Sequence, residues 1–103
     1  MLGHVVLTFR VRAEDGQYAA FCDELDVASC GDTVQDAFRA IEDATLLYLS
    51  VLEDNGERER VFAERHVNLL PGEPPETGGE VTVRARPDEY VSPHAVAIPA
   101  TVT

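Results

Sequence analysis

The chain has 103 residues, of which 45% are hydrophobic, and its 19 acidic side chains outnumber its 8 basic ones. This length predicts one domain with a modest core. The formal net charge of -11 disfavours direct binding to nucleic acid or to an anionic membrane, because such binding relies on Lys and Arg displacing counterions. A basic protein partner would be attracted instead. The alternative is that the acidity only keeps the protein soluble.

The acidic residues are concentrated in the first half of the chain. From Ala13 to Glu57 there are 12 acidic residues and one basic residue, Arg39, whereas acidic and arginine residues nearly balance from Arg58 onward. This concentration favours a defined acidic face over general solvation. The residues that we expect to bind a partner through this face are Glu14, Asp15, Asp23, Glu24, Asp26, Asp36, Glu42 and Asp43.

The first third of the chain has the pattern of short strands. Apolar and polar residues alternate from His4 to Arg12, which predicts a strand with one side in the core. A turn at Gly16 leads to a second predicted strand over Gln17–Cys22, and a short polar connection leads to a third over Val27–Cys30. The pattern therefore predicts an antiparallel meander of three strands.

A long amphipathic helix is predicted next. Thr33 can cap its first turn, and Asp36 stands three residues later, where an acidic residue completes a capping box. The helix should run for about 20 residues and end at Asn55-Gly56, since glycine is preferred just past a helix terminus. Its predicted apolar stripe consists of Val34, Ala37, Phe38, Ile41, Ala44, Tyr48, Leu49 and Leu52.

After the long helix, a short second helix is predicted within Glu57–Arg65, with Val61 and Phe62 packing inward. Val67–Leu70 has the pattern of a fourth strand. These elements complete a predicted α+β domain over residues 1–70.

The last third of the chain is predicted to be less regular. Residues 71–79 are rich in proline and glycine and should form a linker or loop. Glu80–Arg86 alternates and predicts a fifth strand, whereas the tail that contains Pro93 and Pro99 should be extended or partly disordered. We expect residues 80–103 to form a C-terminal strand and tail that can pack on a neighbouring subunit, which would close an oligomer.

The sequence shows no pattern for a metal, a cofactor or a disulfide framework. The three histidines, His4, His66 and His94, are scattered without metal-ligand spacing. Cys22 and Cys30 are predicted to be small buried residues, the alternative being a redox pair on neighbouring strands. No segment is typical of a signal peptide or of a membrane-spanning helix, so we expect a cytoplasmic protein with reduced thiols.

A run of residues resembles a known family. The run from Gly16 to Thr33 is G-Q-Y-A-A-F-C-D-E-L-D-V-A-S-C-G-D-T, and it is followed by V-Q-D-A at 34–37 and L-L-Y-L at 46–49. It resembles the N-terminal domain of HicB-like antitoxins, which carries the pattern G-x-Y-x-A-x-C-P-E-L-D-V-A-S-x-G-D-T-x-x-E-A. Asp23 stands where the family usually has proline, and Asp36 where it often has glutamate. The resemblance covers residues 4–70 and is weak or absent over the final third.

The resemblance implies a partial RNase H-like fold, in which a meander is followed by a helix packed on one face of the sheet. It also implies homo-oligomers, dimers or tetramers, that bind HicA, a small basic toxin that cleaves mRNA. Within the motif, Gly16 and Gly31 are expected to serve turns, Thr33 to cap the helix, and Leu25 and Val27 to pack in the core.

Two activities that the family resemblance suggests are not expected here. Many HicB-like proteins continue into a DNA-binding domain, but only 17 residues follow Arg86, and they include Pro87, Pro93 and Pro99. Nuclease activity in an RNase H-like fold needs converging carboxylates, one of them in the middle of the first strand. Residues 4–12 contain none, so we expect no enzyme and no catalytic residues.

The sequence therefore predicts an antitoxin-type binding protein. It would neutralise a small basic HicA-like toxin by covering the surface with which the toxin binds and cleaves RNA. The alternative is a stand-alone oligomeric scaffold or regulatory protein with a HicB fold and no toxin partner.

Overall fold

The protein has an α+β fold in the computed structural model, which describes residues 3–72 and 83–98. The strands form one sheet in the order β3-β2-β1-β5-β4, and every neighbouring pair is antiparallel. The meander, the long helix and a later strand that joins the sheet are present as predicted. In chain order the elements are β1 (Gly3–Glu14), β2 (Gln17–Cys22), β3 (Val27–Gly31), α1 (Val34–Asp54), α2 (Arg58–Glu64), β4 (Val83–Arg86) and β5 (Glu89–Ile98).

The core lies between α1 and one face of the sheet. Alternation along β1 places four apolar side chains on this face, and all of them are fully buried: Val5, Leu7, Phe9 and Val11. From the other side of this core, α1 packs against β1, β2 and β3. The opposite face of the sheet is not covered by either described helix.

Local signals set the ends of α1 as predicted. The Thr33 hydroxyl accepts a hydrogen bond from the Asp36 backbone N–H at 3.0 Å, and Gly56 follows the helix with a φ of 68°. The buried residues of α1 are Ala37, Ile41, Thr45, Leu49 and Leu52. Thr45 is fully buried although the predicted stripe did not include it, whereas Ala44 is only half-buried.

Gly31 allows α1 to approach β3. A Cβ at this position would lie 2.5 Å from the Ala37 backbone nitrogen, so a larger residue would push the first turn of the helix away. Gly16, by contrast, has open space around it and a φ of +82°, which an L-residue rarely adopts. Both glycines of the motif are therefore structural, but for different reasons.

The predicted fourth strand at Val67–Leu70 is wrong. Only Leu70 pairs, in an isolated antiparallel bridge with His4 whose two N–H···O bonds are 2.8 and 2.7 Å long. Val67 and Leu69 are half-buried against the core, which accounts for their alternation. Their side chains can be buried without the backbone hydrogen bonds that define a strand.

The C-terminal tail also differs from the prediction. Glu89–Ile98 is a strand of 10 residues that pairs with β1 from Gly3 to Arg12, so this segment is neither an irregular tail nor a surface extension. Pro93 is compatible with this strand because β4 pairs with β5 only as far as Val91, which leaves that side of Pro93 unpaired among the described residues. The strand predicted over residues 80–86 is confirmed for 83–86, while 80–82 and the linker beyond Gly72 lie outside the described residues.

In the described ranges, neither helix has the length and apolar character needed to cross a membrane. Packing of the C-terminal strand on a neighbouring subunit stays a prediction.

Candidate functional site

The structure separates the predicted acidic residues into three groups. Glu14 and Asp15 lie at the β1–β2 turn. Asp23, Glu24 and Asp26 lie in the β2–β3 turn, which is at the opposite end of the sheet because each strand of the meander reverses direction. The sequence placed these residues on one face, and the fold does not bring them together.

The remaining three predicted residues belong to α1. The helix begins at the end of the sheet that carries the β1–β2 turn, because β3 ends at Gly31, which pairs with Tyr18. Asp36 is in the first turn of α1, and Glu42 and Asp43 follow along its length. None of the three forms an ion pair with the residues that the structure describes.

Two acidic residues of the β2–β3 turn, Asp23 and Glu24, are bound to neighbouring groups. Asp23 forms an ion pair with Arg10 (Oδ2 to Nη2, 2.9 Å), and this hydrogen bonding raises the pKa of the Arg10 guanidinium. The Glu24 carboxylate accepts hydrogen bonds from the backbone N–H of Thr8 at 2.7 Å and from its hydroxyl at 2.8 Å. Asp26 lies 4.0 Å from Arg65. The contacts of Asp23 and Glu24 fasten the turn to the fold, whereas the Asp26 side chain is 82% exposed and its distant contact with Arg65 leaves its charge accessible.

The outer side of α1 carries an apolar patch that the sequence analysis did not identify. The exposed fractions are 46% for Leu46, 67% for Leu47 and 45% for Val51. The helical period places Leu47 opposite the buried stripe, with Leu46 on one flank of it and Val51 on the other. Six exposed residues of α1 lie along this outer side of the helix, and we call them the outer strip: Asp43, Leu46, Leu47, Ser50, Val51 and Asp54.

Single exposed leucines are common on protein surfaces and need no explanation. In the outer strip, however, three large apolar residues lie within two turns of one helix, with Asp43 before them and Asp54 after them. The signal was present in the sequence, because positions 46, 47 and 51 fall outside the predicted apolar stripe.

The uncovered face of the sheet is a second exposed surface of different character. Val6 is 48% exposed there, and Ala95 and Ala97 on β5 are exposed beside it. The charges on this face are largely paired. Arg10 binds both Asp23 and Glu89, and Arg12 lies 3.7 Å (Nη2 to Oε2) from Glu14. The Arg12 guanidinium also lies 5.3 Å from the centre of the Phe21 ring.

The cysteines and histidines form no reactive site among the described residues. Cys22 is buried as predicted, and burial raises the pKa of its thiol, whereas Cys30 is exposed on the other face of the sheet. This arrangement contradicts both the predicted burial of Cys30 and the alternative of a redox pair. His4 contacts the Gly72 carbonyl oxygen through Nδ1 at 3.0 Å, and His94 packs against the Phe9 ring. No cluster of His, Cys, Asp or Glu in the described ranges has the composition to hold a metal ion.

Comparison of the chain with models of protein families, with curated proteins and with solved structures found no match. The resemblance of residues 16–37 to HicB-like antitoxins therefore stays a prediction from the sequence motif.

Proposed function

We propose that this chain is a cytoplasmic antitoxin-type binding protein with a HicB-like fold. In this proposal it neutralises a small basic, mRNA-cleaving toxin of the HicA kind by covering the surface with which the toxin binds RNA. The single observation that carries the proposal is the set of carboxylates on α1, Asp36, Glu42 and Asp43, that have no cationic partner among the described residues.

A toxin that cleaves RNA needs a cationic surface for the phosphate backbone. Carboxylates already held in internal ion pairs cannot pair with that surface without breaking their own contacts, as for Asp23 with Arg10. Asp36, Glu42 and Asp43 have no such ion pair among the described residues, so a partner can bind them without this cost. A net charge of -11 also speeds the encounter with a basic partner, because oppositely charged proteins are steered together.

The proposal is tested with a small basic, mRNA-cleaving toxin of the HicA kind. Co-expression should restore the growth of cells that produce that protein, and the two purified proteins should form a complex whose affinity falls as salt rises. A triple variant, Asp36→Asn with Glu42→Gln and Asp43→Asn, should bind more weakly, mainly through a slower association rate.

The matched control removes three negative charges from exposed residues near or on α2, in the variant E57Q/E59Q/E64Q. Its net charge equals that of the α1 variant. Equal weakening by both variants would mean that only total charge matters, which contradicts a docking surface on α1. Absence of both binding and growth rescue with the unmodified protein would overturn the antitoxin function.

A second candidate function is a stand-alone oligomeric scaffold or regulatory protein. It is favoured by the uncovered face of the sheet, where Val6 and two alanines are exposed and the charges are largely paired. Two copies can pack through such a face without strong repulsion between like charges. Light scattering would test this candidate, since Val6→Lys should then reduce the mass of the oligomer.

A further inference from the structure

The outer strip of α1 is an apolar surface that the described fold does not use. Leu46, Leu47 and Val51 are all exposed, while a separate stripe of the same helix fills the core. Leucine is a good helix former, so helix propensity alone would account for the two leucines. It does not account for Val51, because a β-branched residue is unfavourable in an exposed helical position.

We propose that the outer strip is the central contact for a basic protein that presents an apolar patch surrounded by Lys and Arg. Leu46, Leu47 and Val51 provide the affinity by becoming buried, and Asp43 and Asp54 pair with the partner's cations at the two ends of the patch. The inference rests on the proposed function, because it describes how the toxin-like partner of that function is held.

The size of the strip agrees with this role. From Asp43 to Asp54 the helix rises about 16 Å, since each residue adds about 1.5 Å. Protein interfaces commonly have an apolar centre that loses its water and a polar rim that stays hydrated. The outer strip has this arrangement along the helix, with three apolar residues in the middle and a carboxylate beyond each end.

The negative charge around the outer strip determines which kind of molecule can bind there. A second copy of the chain would bring carboxylates against carboxylates, because Arg39 is the one basic residue of α1. Glu42 beside the strip adds to this repulsion. An anionic membrane is repelled for the same reason. A cationic protein surface is the occupant that satisfies both the apolar centre and the acidic ends.

The test measures binding of a small basic, mRNA-cleaving toxin of the HicA kind to the unmodified chain and to three variants. In L46A/L47A we expect the dissociation constant to rise by about tenfold to a hundredfold, mostly through faster dissociation. In D43N/D54N we expect slower association and a weaker dependence on salt. Leu70→Ala is the matched control, because Leu70 is 40% exposed and lies outside α1, and this variant should keep the affinity of the unmodified chain.

The replaced leucines are exposed, so the variants should keep the circular dichroism spectrum of the unmodified chain. If L46A/L47A binds as tightly as the unmodified chain while the triple variant of Asp36, Glu42 and Asp43 binds weakly, the outer strip is not the anchor and the proposed function stands. If the unmodified chain does not bind the toxin, both this inference and the proposed function are wrong. Conversion of an oligomer to monomers by L46A/L47A, without an effect on partner binding, would overturn the inference in favour of self-association.

Discussion

Arg10 and Glu89 are 79 residues apart in the sequence, yet their side chains form an ion pair in which Nη1 and Oε1 are 2.7 Å apart. The Glu89 side chain is only 9% exposed. The same guanidinium holds Asp23 with its other nitrogens. One side chain on β1 thus connects the start of β5 with the β2–β3 turn, and it fastens the C-terminal hairpin to the meander.

This connection predicts that Glu89→Ala destabilises the protein. The Arg10 side chain is 34% exposed, so water can partly replace the lost carboxylate. We therefore expect the free energy of unfolding to fall by about 1–3 kcal/mol, in the range for hydrogen bonds to charged groups. Asp23→Ala removes a more exposed partner of the same arginine and should cost less than about 1 kcal/mol. Urea denaturation measures both, and equal losses would contradict a special role for the buried carboxylate.

Strand β5, which the sequence patterns did not predict, shows which parts of the fold such patterns cannot reveal. The sides of β1 are set by local alternation, and the ends of α1 by Thr33 and Gly56, so the sequence predicted them. In β5 the positions that face the core include Ser92 and His94, opposite Phe9 and Leu7 of β1. These polar residues hide the apolar alternation, and their pairing with β1 is a long-range contact that no local pattern reveals.

The candidate site was predictable only in part, for a related reason. The sequence alone shows that the acidic residues are concentrated between residues 13 and 57. It does not show that the meander places its two turns at opposite ends of the sheet. Which carboxylates remain unpaired depends on arginines that are distant in sequence, such as Arg65 near Asp26. The sequence shows that Leu46 and Leu47 lie outside the predicted core stripe. Their exposure becomes known only when the structure shows which side of α1 packs on the sheet.

A second prediction concerns the two glycines of the motif. Gly31→Ala should lower the free energy of unfolding by about 2 kcal/mol or more, because its Cβ would lie 2.5 Å from the Ala37 nitrogen and backbone would have to move. Gly16→Ala meets no atom within 4 Å, so its cost is the strain of a positive φ, about 1 kcal/mol. Thermal and urea unfolding of the two variants gives the comparison. A larger loss for Gly16→Ala would mean that close packing of α1 on β3 is not limiting.

A third prediction follows from the unlike positions of the cysteines. In the native protein Cys30 should react quickly with a thiol reagent, and buried Cys22 only after unfolding. Burial raises the pKa of Cys22, so above about pH 8.5 the unfolded chain loses this proton while the folded chain keeps it. The stability associated with the neutral thiol is therefore complete below that pH and declines as pH rises towards the folded pKa. Subtracting the pH profile of Cys22→Ala from that of the unmodified protein isolates the effect, and parallel profiles would contradict it.

The last prediction concerns the start of α1, on which the candidate surface depends. Thr33→Ala removes the hydroxyl that accepts the Asp36 N–H, and we expect a loss of about 1 kcal/mol in the free energy of unfolding. Thr33→Ser keeps an acceptor at the same place and should stay within a few tenths of a kcal/mol of the unmodified protein. Hydrogen exchange of the first turn of α1 should accelerate in Thr33→Ala alone, because the freed N–H groups open locally. Equal exchange in the two variants would mean that packing on β3, and not the cap, holds this end of the helix.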